Sequence, residues 1–321
     1  MTRRVGIHES VSELFPSAWF ERAFDGSETA EKSGAEIGIE VVDVEGGDPE
    51  TLSRLEVCVT LAYEEAFLES DLSWVHSVQA GVDRFPLDAF DEQGIALTNS
   101  EGIHGDVVGE TVLGYLLTVV RGLHRYRDAQ AERRWSDPDW SALGTLRGEQ
   151  VCVIGLGTLG QGVARRADAF GMEVVGVRRT PTPVDGVRKV YTPGEMERAI
   201  ENSKSVVLCV PLTDDTRELI GPEELAAMDE DAFLVNVARG PVVKEGALVD
   251  ALEAGEIAGA ALDVFESEPL SPESPLWGME EVLVTPHVAA AHEGYANRVG
   301  AIVRENLRRQ ERGESLAKRV I

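Results

Sequence analysis

Short apolar runs alternate with amphipathic stretches along almost the whole of this chain. The runs have the length of buried strands, and the stretches between them repeat apolar residues at helical spacing. This alternation predicts βαβ units with parallel strands rather than hairpins, and therefore an α/β fold. The predicted strands are residues 4–7, 38–44, 56–61, 73–78 and 94–98, and then 151–154, 173–177, 187–190, 204–210, 232–237, 258–262 and 281–284.

Two longer helical patterns flank the second group of strands, at about residues 106–134 and 293–312. Because no strand remains for a third domain, we expect the last helix to pack back on the first domain. The predicted organisation is a smaller α/β domain, residues 1–102 and 291–321, into which a second α/β domain, residues 103–290, is inserted.

A glycine-rich turn stands between a strand and a helix of the second domain. The strand 151–154 enters Gly155-Leu156-Gly157-Thr158-Leu159-Gly160, and a helical pattern and the strand 173–177 follow. The first glycine allows a tight turn, the second lets a pyrophosphate approach the backbone, and the third lets the helix pack on the strand. A tight turn in an ordinary α/β protein is the alternative. The framing by strand, helix and strand favours a dinucleotide-binding domain.

Two arginines follow the second of these strands, where NAD-binding sites usually place an acidic residue. In those sites Asp or Glu binds the ribose 2′-hydroxyl about 20 residues after the turn, whereas this chain reads Arg178-Arg179-Thr180. Because guanidinium groups offer bidentate donors to a phosphate, the 2′-phosphate of NADP fits better. The sequence therefore favours NADP, with solvated arginines and bound NAD as the alternative.

The chain is strongly acidic, with a formal net charge of −27, and only five of its 30 basic residues are lysines. The acidic residues are spread along the sequence, which is typical of a halophilic cytosolic protein; an ordinary acidic protein of a mesophile is the alternative. Such a surface argues against nucleic acid and anionic membranes as partners.

Cysteines, histidines and the N-terminus indicate a cytoplasmic chain without a metal site. Cys58, Cys152 and Cys209 lie inside apolar runs and suit small core residues better than disulfides or zinc ligands. The six histidines are scattered without ligand spacing. The N-terminus begins as a strand, so we expect no signal peptide. The apolar segment 107–120 contains Glu110 and is too short to span a bilayer.

Three ionisable groups come just after predicted strands of the second domain. One strand is followed by Arg239-Gly240, the next by the acidic run from Glu266 to Glu268, and the third by Pro286-His287. Each has a plain structural interpretation, as a solvated arginine, turn-forming acids before a proline, or a structural histidine. The carboxyl ends of parallel strands, however, share the sheet edge where ligands bind. Three such segments beside a dinucleotide site indicate that their ionisable side chains form one catalytic site.

These motifs resemble those of the D-isomer-specific 2-hydroxyacid dehydrogenase family over nearly the whole chain. The resemblance rests on the glycine turn, Val210-Pro211-Leu212-Thr213, the segments 236–240 and 261–269, and Thr285-Pro286-His287, in that order. It implies a Rossmann-type dinucleotide-binding domain inserted into a flavodoxin-like substrate domain. It also implies a homodimer, formed through the long helix and neighbouring parts of the dinucleotide-binding domain.

The resemblance further implies that Arg239 binds the substrate carboxylate, that His287 donates a proton and that Glu268 pairs with His287. Glu266 is a weaker candidate for that pairing. The backbone at Ala80-Gly81 is similar to the family's carboxylate-binding loop. Reduction of a 2-oxo acid needs hydride at the carbonyl carbon and a proton at its oxygen, and His supplies protons near neutral pH. A buried Glu beside it favours the imidazolium, and Arg polarises the carbonyl.

The expected dinucleotide contacts come from the glycine turn and from the resemblance together. Asp263 matches a position that faces the nicotinamide carboxamide in the family, and Ala289-Ala290 stand where the family commonly has paired glycines. The full expected set is Gly155, Gly157, Thr158, Leu159, Gly160, Arg178, Arg179, Thr180, Cys209, Val210, Pro211, Val237, Ala238, Asp263, Ala289 and Ala290.

The expected activity is NADPH-dependent reduction of small 2-oxo acids to D-2-hydroxy acids. Glyoxylate or hydroxypyruvate reduction and a phosphoglycerate-type dehydrogenase remain alternatives within the family, whereas formate dehydrogenase typically has Gln where Glu268 stands. From another class, the C-terminal-binding corepressors share the fold and bind dinucleotide as a signal. The acidic surface counts against that role, and turnover of a 2-oxo acid separates the two classes.

Overall fold

The computed structural model describes residues 2–25, 37–138, 140 and 143–321. The chain forms two compact units, each with its own parallel sheet and hydrophobic core. Unit 1 consists of residues 1–103 and 292–321, and unit 2 of residues 104–291, so that unit 2 is an insertion in the chain of unit 1.

Unit 1 contains five strands and six helices among its described residues. The strands are β1 (Arg3–His8), β2 (Ile39–Val44), β3 (Val57–Thr60), β4 (Trp74–Ser77) and β5 (Ala96–Asn99). The helices are α1 (Glu9–Ser12), α2 (Ser17–Asp25), α3 (Pro49–Leu52), α4 (Ala66–Glu69), α5 (Leu87–Gln93) and, at the end of the chain, α12 (Tyr295–Glu311).

The sheet of unit 1 is parallel and has the order β2-β1-β3-β4-β5, which is the strand order of flavodoxin-like folds. Every residue of β3 and β4 is buried, including the polar Thr60, His76 and Ser77, as expected for a parallel sheet with helices on both faces. Helix α12 packs against α2. The flavodoxin-like expectation is confirmed.

Unit 2 contains seven strands and six α-helices among its described residues. The strands are β6 (Gln150–Ile154), β7 (Glu173–Val177), β8 (Lys189–Tyr191), β9 (Ser205–Leu208), β10 (Phe233–Asn236), β11 (Gly259–Leu262) and β12 (Val282–Val284). The helices are α6 (Gly105–Val120), α7 (Leu123–Ala131), α8 (Thr158–Ala169), α9 (Met196–Ile200), α10 (Pro222–Ala226) and α11 (Glu245–Ala254).

The sheet of unit 2 is also parallel, with the order β12-β11-β10-β9-β6-β7-β8. Counted from β6, this is the Rossmann order with one further strand beyond β11. The strand order reverses at β6, between β7 and β9, so the glycine turn after β6 lies at the switch point where such sheets bind ligands. The Rossmann expectation is confirmed.

The single helix predicted over residues 106–134 is wrong. Helix α6 ends at Val120, and α7 begins only at Leu123. Gly122 between them adopts the left-handed conformation, with φ +59° and ψ 28°. Glycine adopts this conformation without a Cβ penalty and so commonly ends a helix. The apolar pattern is helical on both sides of the break and therefore does not show it. None of the helices in the described part of the chain is long and apolar enough to cross a membrane.

Candidate active site

The glycine turn after β6 leaves open space in front of the backbone of Gly157. A Cβ built on Gly157 would meet no atom within 4 Å. Gly155 has φ +96°, and a Cβ on Gly160 would lie 1.8 Å from the Gly155 carbonyl oxygen. The turn is thus tight at its first glycine, open at its second and packed at its third. Helix α8 begins within this turn, at Thr158, so its free amide groups suit a phosphate. These features fit a dinucleotide.

Arg178 and Arg179 follow β7 directly, at the same sheet edge as the glycine turn. Arg178 is half-buried and its amide donates to the Tyr191 carbonyl oxygen at 3.0 Å, whereas Arg179 and Thr180 are exposed. Neither guanidinium forms an ion pair with any residue that the structure describes. Two cationic groups therefore remain available to an anionic ligand there.

The other expected dinucleotide contacts of this group follow β9 and β10. Cys209 is buried, with its carbonyl oxygen against Gly155, and burial raises the pKa of its thiol to about 12. It is therefore a packing residue and not a nucleophile. Val237 and Ala238 are also buried, whereas Val210 is half-buried and Pro211 exposed.

A buried asparagine shapes the turn that carries Arg239. Asn236, at the end of β10, accepts a hydrogen bond from the Ala238 amide at 3.0 Å and donates to the Arg239 carbonyl oxygen at 3.0 Å. A Cβ on the next residue, Gly240, would lie 1.8 Å from the Phe265 carbonyl carbon. Only glycine permits this approach, so the Arg239 turn packs directly against the segment that leads to Glu268.

His287 and Glu268 form a hydrogen-bonded pair between the segments after β12 and β11. His287 Nδ1 lies 2.8 Å from Glu268 Oε2, and the other carboxylate oxygen accepts from the Phe265 amide at 3.2 Å. The Glu268 side chain is 34% exposed, so the expectation that it is buried is wrong. Arg239, Glu268 and His287 thus lie at one sheet edge. The Arg239 turn packs against the segment that leads to Glu268, and Glu268 bonds His287. Glu266 is exposed, and its amide donates to Glu245.

The charge state of Glu268 follows from its neighbours. Partial burial acts to raise the pKa of Glu268, but the hydrogen bond and charge of His287, the Phe265 amide and the charge of Arg239 outweigh it. The pKa of Glu268 therefore lies below its ordinary value, and the carboxylate is ionised at neutral pH.

Asp263 lies beneath the His287 segment and is 1% exposed. Its carboxylate accepts hydrogen bonds from the Thr285 hydroxyl at 2.7 Å and from the amides of Val288 at 2.9 Å and Ala289 at 2.8 Å. The Tyr115 hydroxyl of α6 lies 3.2 Å from the same carboxylate. Asp263 was expected to contact the cofactor; within the protein it already holds the loop of the expected proton donor.

Sequence reasoning did not assign roles to Tyr115, Thr285 or Asn236. Thr285 and Asn236 stand inside the recognised motifs, so their positions were visible but their partners were not. Tyr115 falls on the apolar face of α6 with Val108 and Val112, where its hydroxyl is the only signal that a polar partner must lie nearby.

Ala80 and Gly81 lie in unit 1, just after β4. The Ala80 carbonyl oxygen accepts from the Asn99 side-chain amide at 2.7 Å, and the Gln79 carbonyl oxygen accepts from the Ser100 amide at 3.1 Å. These hydrogen bonds hold the carbonyl groups of Gln79 and Ala80 in place. In the described parts of the chain, no group of three or more His, Cys, Asp and Glu side chains could hold a metal ion.

A family model described as the D-isomer specific 2-hydroxyacid dehydrogenase, NAD binding domain, matches residues 113–289. This stretch includes the glycine turn, Arg239, Glu268 and His287. The chain belongs to the D-isomer specific 2-hydroxyacid dehydrogenase family. It is thus an oxidoreductase of the NAD(P)-dependent class.

Two relatives are similar to this dehydrogenase over about three quarters of its length. It is 36% identical over 246 residues to a glyoxylate reductase of Korarchaeum cryptofilum, a match covering 73% of this chain and 71% of that one. It is also 36% identical over 242 residues to the D-3-phosphoglycerate dehydrogenase of Methanocaldococcus jannaschii, covering 75% of this chain but only 46% of the relative. The chain thus spans about half the length of that second relative.

A solved structure resembles this dehydrogenase over its full length. The NADPH-dependent glyoxylate/hydroxypyruvate reductase of Sinorhizobium meliloti, in complex with NADP and sulfate, superposes with a TM-score of 0.80 at 28% identity. The match covers 99% of this chain and 98% of that one.

Proposed function

We propose that this dehydrogenase reduces small 2-oxo acids, with glyoxylate and hydroxypyruvate as the first candidates, to D-2-hydroxy acids. The observation that carries the proposal is the contact between His287 Nδ1 and Glu268 Oε2 at 2.8 Å beside the Arg239 turn. One proton donor, its carboxylate partner and one guanidinium are what reduction of a carboxylate-bearing ketone needs. The names of the Korarchaeum cryptofilum and Sinorhizobium meliloti relatives support glyoxylate as a substrate.

In the proposed mechanism, Arg239 binds the substrate carboxylate with two parallel hydrogen bonds and orients the neighbouring carbonyl. The glycine turn and helix α8 would hold the dinucleotide, and its nicotinamide would supply the hydride for the carbonyl carbon. Glu268 occupies His287 Nδ1, so Nε2 is the nitrogen that gives its proton to the carbonyl oxygen. The ionised carboxylate stabilises the protonated ring before transfer. The ring becomes neutral, and solvent protonates it again. The expected carboxylate-binding role of the Ala80-Gly81 backbone stays part of this proposal.

We further propose that NADPH is the preferred cofactor, with NAD as the alternative. Arg178 and Arg179 support this, because both guanidiniums follow β7 without an ion pair to any described residue. The expected dinucleotide contacts, from Gly155 to Ala290, stay part of this proposal.

The experiment that tests both proposals measures initial rates of NADPH and NADH oxidation with glyoxylate, hydroxypyruvate and pyruvate in molar potassium chloride. We expect faster oxidation of NADPH and a D-hydroxy acid product. Absence of turnover, with NADPH still bound, contradicts the proposed reaction. Faster oxidation of NADH contradicts the cofactor preference alone.

Variants sharpen the cofactor test. Replacing Arg178 and Arg179 by Ala should raise the KM for NADPH roughly 10- to 100-fold, the effect of losing about 1.5–3 kcal/mol of charge-assisted hydrogen bonding. The KM for NADH should stay within about twofold. Arg188→Ala is the matched control, since Arg188 is exposed, close in sequence and paired with Glu173. An equal loss with both cofactors would refute a 2′-phosphate role.

We also propose a cytoplasmic homodimer. The three cysteines are buried and unbonded, which suits a reducing compartment. After α6, Leu123 is 51% exposed, Trp135 93% and Trp140 85%, and a second chain is the simplest cover for such large apolar side chains. Light scattering in molar and in low salt tests the dimer and the expected halophilic character, and a monomer in molar salt would contradict the dimer.

A further inference from the structure

The segment that carries His287 is held in a conformation that its own residues do not favour. His287 has φ +53°, in the left-handed region that is uncommon for a residue with a side chain. The neighbouring Val288 is 42% exposed, so little packing holds the segment from outside. Hydrogen bonds must therefore stabilise the position of the imidazole.

Asp263 supplies most of these hydrogen bonds from below. Its carbonyl oxygen accepts from the His287 amide at 2.8 Å, and its carboxylate accepts from the amides of the next two residues, Val288 and Ala289. The Thr285 hydroxyl, two residues before His287, also donates to this carboxylate. One buried aspartate thus binds the loop on both sides of the proton donor.

Helix α6 reaches the same loop with two hydroxyl groups. The Tyr115 hydroxyl lies 2.6 Å from Thr285 Oγ1, and the Thr111 hydroxyl donates to the Ala289 carbonyl oxygen at 2.9 Å. The hydroxyls of Thr285 and Tyr115 both donate to the Asp263 carboxylate, that of Thr285 at 2.7 Å and that of Tyr115 at 3.2 Å. Tyr115, Thr285 and Asp263 therefore form one hydrogen-bonded cluster under the His287 segment.

The Tyr115 hydroxyl is suited to remain a donor. Tyr115 is 7% exposed, and burial, aided by the charge of Asp263, raises its pKa despite the opposing hydrogen bond with Thr285. The hydroxyl therefore keeps its proton at every pH at which the enzyme would work.

We propose that Tyr115 and Thr285 are positioning residues that act through Asp263 on His287, holding Nε2 in line with the substrate oxygen. The inference rests on the proposed function, because it assigns these two residues to the proton transfer proposed for His287. A purely structural role would have a different consequence. The two hydroxyls would then only hydrogen-bond each other, and loss of either would lower stability without a specific effect on turnover.

Three variants and a control test the proposal. Tyr115→Phe removes one hydroxyl without changing shape, Thr285→Val removes the other, and Thr285→Ser keeps it. Thr118→Val is the control, because Thr118 is on the same helix and its hydroxyl only bonds the Gly114 carbonyl oxygen within α6. For each variant we would measure kcat and KM for glyoxylate, NADPH binding by fluorescence, and the melting temperature.

We expect kcat to fall roughly tenfold in Tyr115→Phe and in Thr285→Val, because small misplacements of a reacting group cost this much or more. The KM for glyoxylate and the NADPH dissociation constant should stay within about twofold, since the lost interaction acts in the transition state. Thr285→Ser should recover most of kcat, and Thr118→Val should match the wild type. In the double variant the two losses in kcat should not multiply, because both hydroxyls act through the same Asp263 carboxylate.

Two outcomes would overturn the inference while the proposed function stands. One is an unchanged kcat in Tyr115→Phe and Thr285→Val in an active wild-type background. The other is a kcat loss that Thr285→Ser does not recover, or that Thr118→Val shares. A wild type without turnover on any 2-oxo acid would instead overturn the proposed function, and this inference with it.

Discussion

His76 lies inside a parallel strand of unit 1 and His287 comes shortly after a parallel strand of unit 2, and the surroundings of the two differ in almost every respect. In unit 1, His76 is fully buried in β4, with Nδ1 2.8 Å from the Thr98 hydroxyl and Nε2 3.1 Å from the Ser100 hydroxyl. In unit 2, His287 is 27% exposed and faces a carboxylate at 2.8 Å. One ring has neutral partners on both nitrogens, and the other has a charged partner on one nitrogen.

The hydroxyl partners fix the proton of His76. Ser100 donates to the Ser77 carbonyl oxygen at 3.2 Å, and the Trp74 indole donates to Thr98 at 2.8 Å. The ring therefore donates from Nε2 and accepts at Nδ1, with nothing left to exchange. Burial lowers the pKa of His76 to about 3. A histidine with these neighbours is structural, whereas one beside an ionised carboxylate at an open sheet edge can move a proton.

The largest expected effect is the loss of the proton donor. His287→Ala should lower kcat for glyoxylate reduction by about 10²–10⁴, the usual contribution of a general acid. NADPH binding by fluorescence is the control and should change little. Turnover of His287→Ala at the wild-type rate would contradict the assignment of His287 as the proton donor.

The next effect concerns Arg239. Arg239→Ala should raise the KM for glyoxylate and lower kcat together, by roughly 10- to 100-fold in kcat/KM, because a charge-assisted pair is worth about 1.5–3 kcal/mol. Arg239→Lys keeps the charge but not the planar fork, so it should recover only part of the loss. Full recovery by Lys would argue against bidentate binding.

A smaller effect is expected from the carboxylate partner. The pKa of Glu268 is lowered from 4.5, so the pair with His287 is present above that pH and is lost as pH falls through the lowered value. Glu268→Gln removes the charge that stabilises the protonated ring, so reduction should decline several-fold at neutral pH. Superimposable pH–rate profiles for the variant and the wild type would contradict the pairing.

The smallest effect belongs to the structural histidine and appears in stability. His76 stays neutral in the folded protein down to about pH 3, whereas its unfolded-state value is 6.5. Between those values the unfolded chain binds more protons, so stability rises with pH in this window and is lost as pH falls below 6.5. From pH 7 to 5 this single group should cost at most about 2 kcal/mol.

Urea unfolding of the wild type and His76→Gln at both pH values isolates the contribution. The variant should lose less stability on acidification than the wild type, although it is less stable at pH 7. Equal losses would mean that His76 titrates in the folded protein, and its buried, neutral assignment would be wrong.

The βα periodicity was sufficient to locate the strands, because each buried strand is a continuous local apolar run. The predicted run 258–262 became Gly259–Leu262, and 73–78 became Trp74–Ser77. The run 204–210 was too long, since the strand ends at Leu208 and the chain turns to pass Gly155. The break at Gly122 was missed because a left-handed residue does not disturb apolar spacing.

By itself, the sequence determined the α/β class, the strand positions, the glycine turn and the candidate residues Arg239, Glu268 and His287, because these depend on local pattern and on short motifs. Only the tertiary structure decided which groups meet. Tyr115 and Asp263 are 148 residues apart in the chain, and their contact exists because α6 packs against β10 and β11. Hydrogen bonds between distant segments have no local signature, since either partner alone is an ordinary polar residue near a buried face.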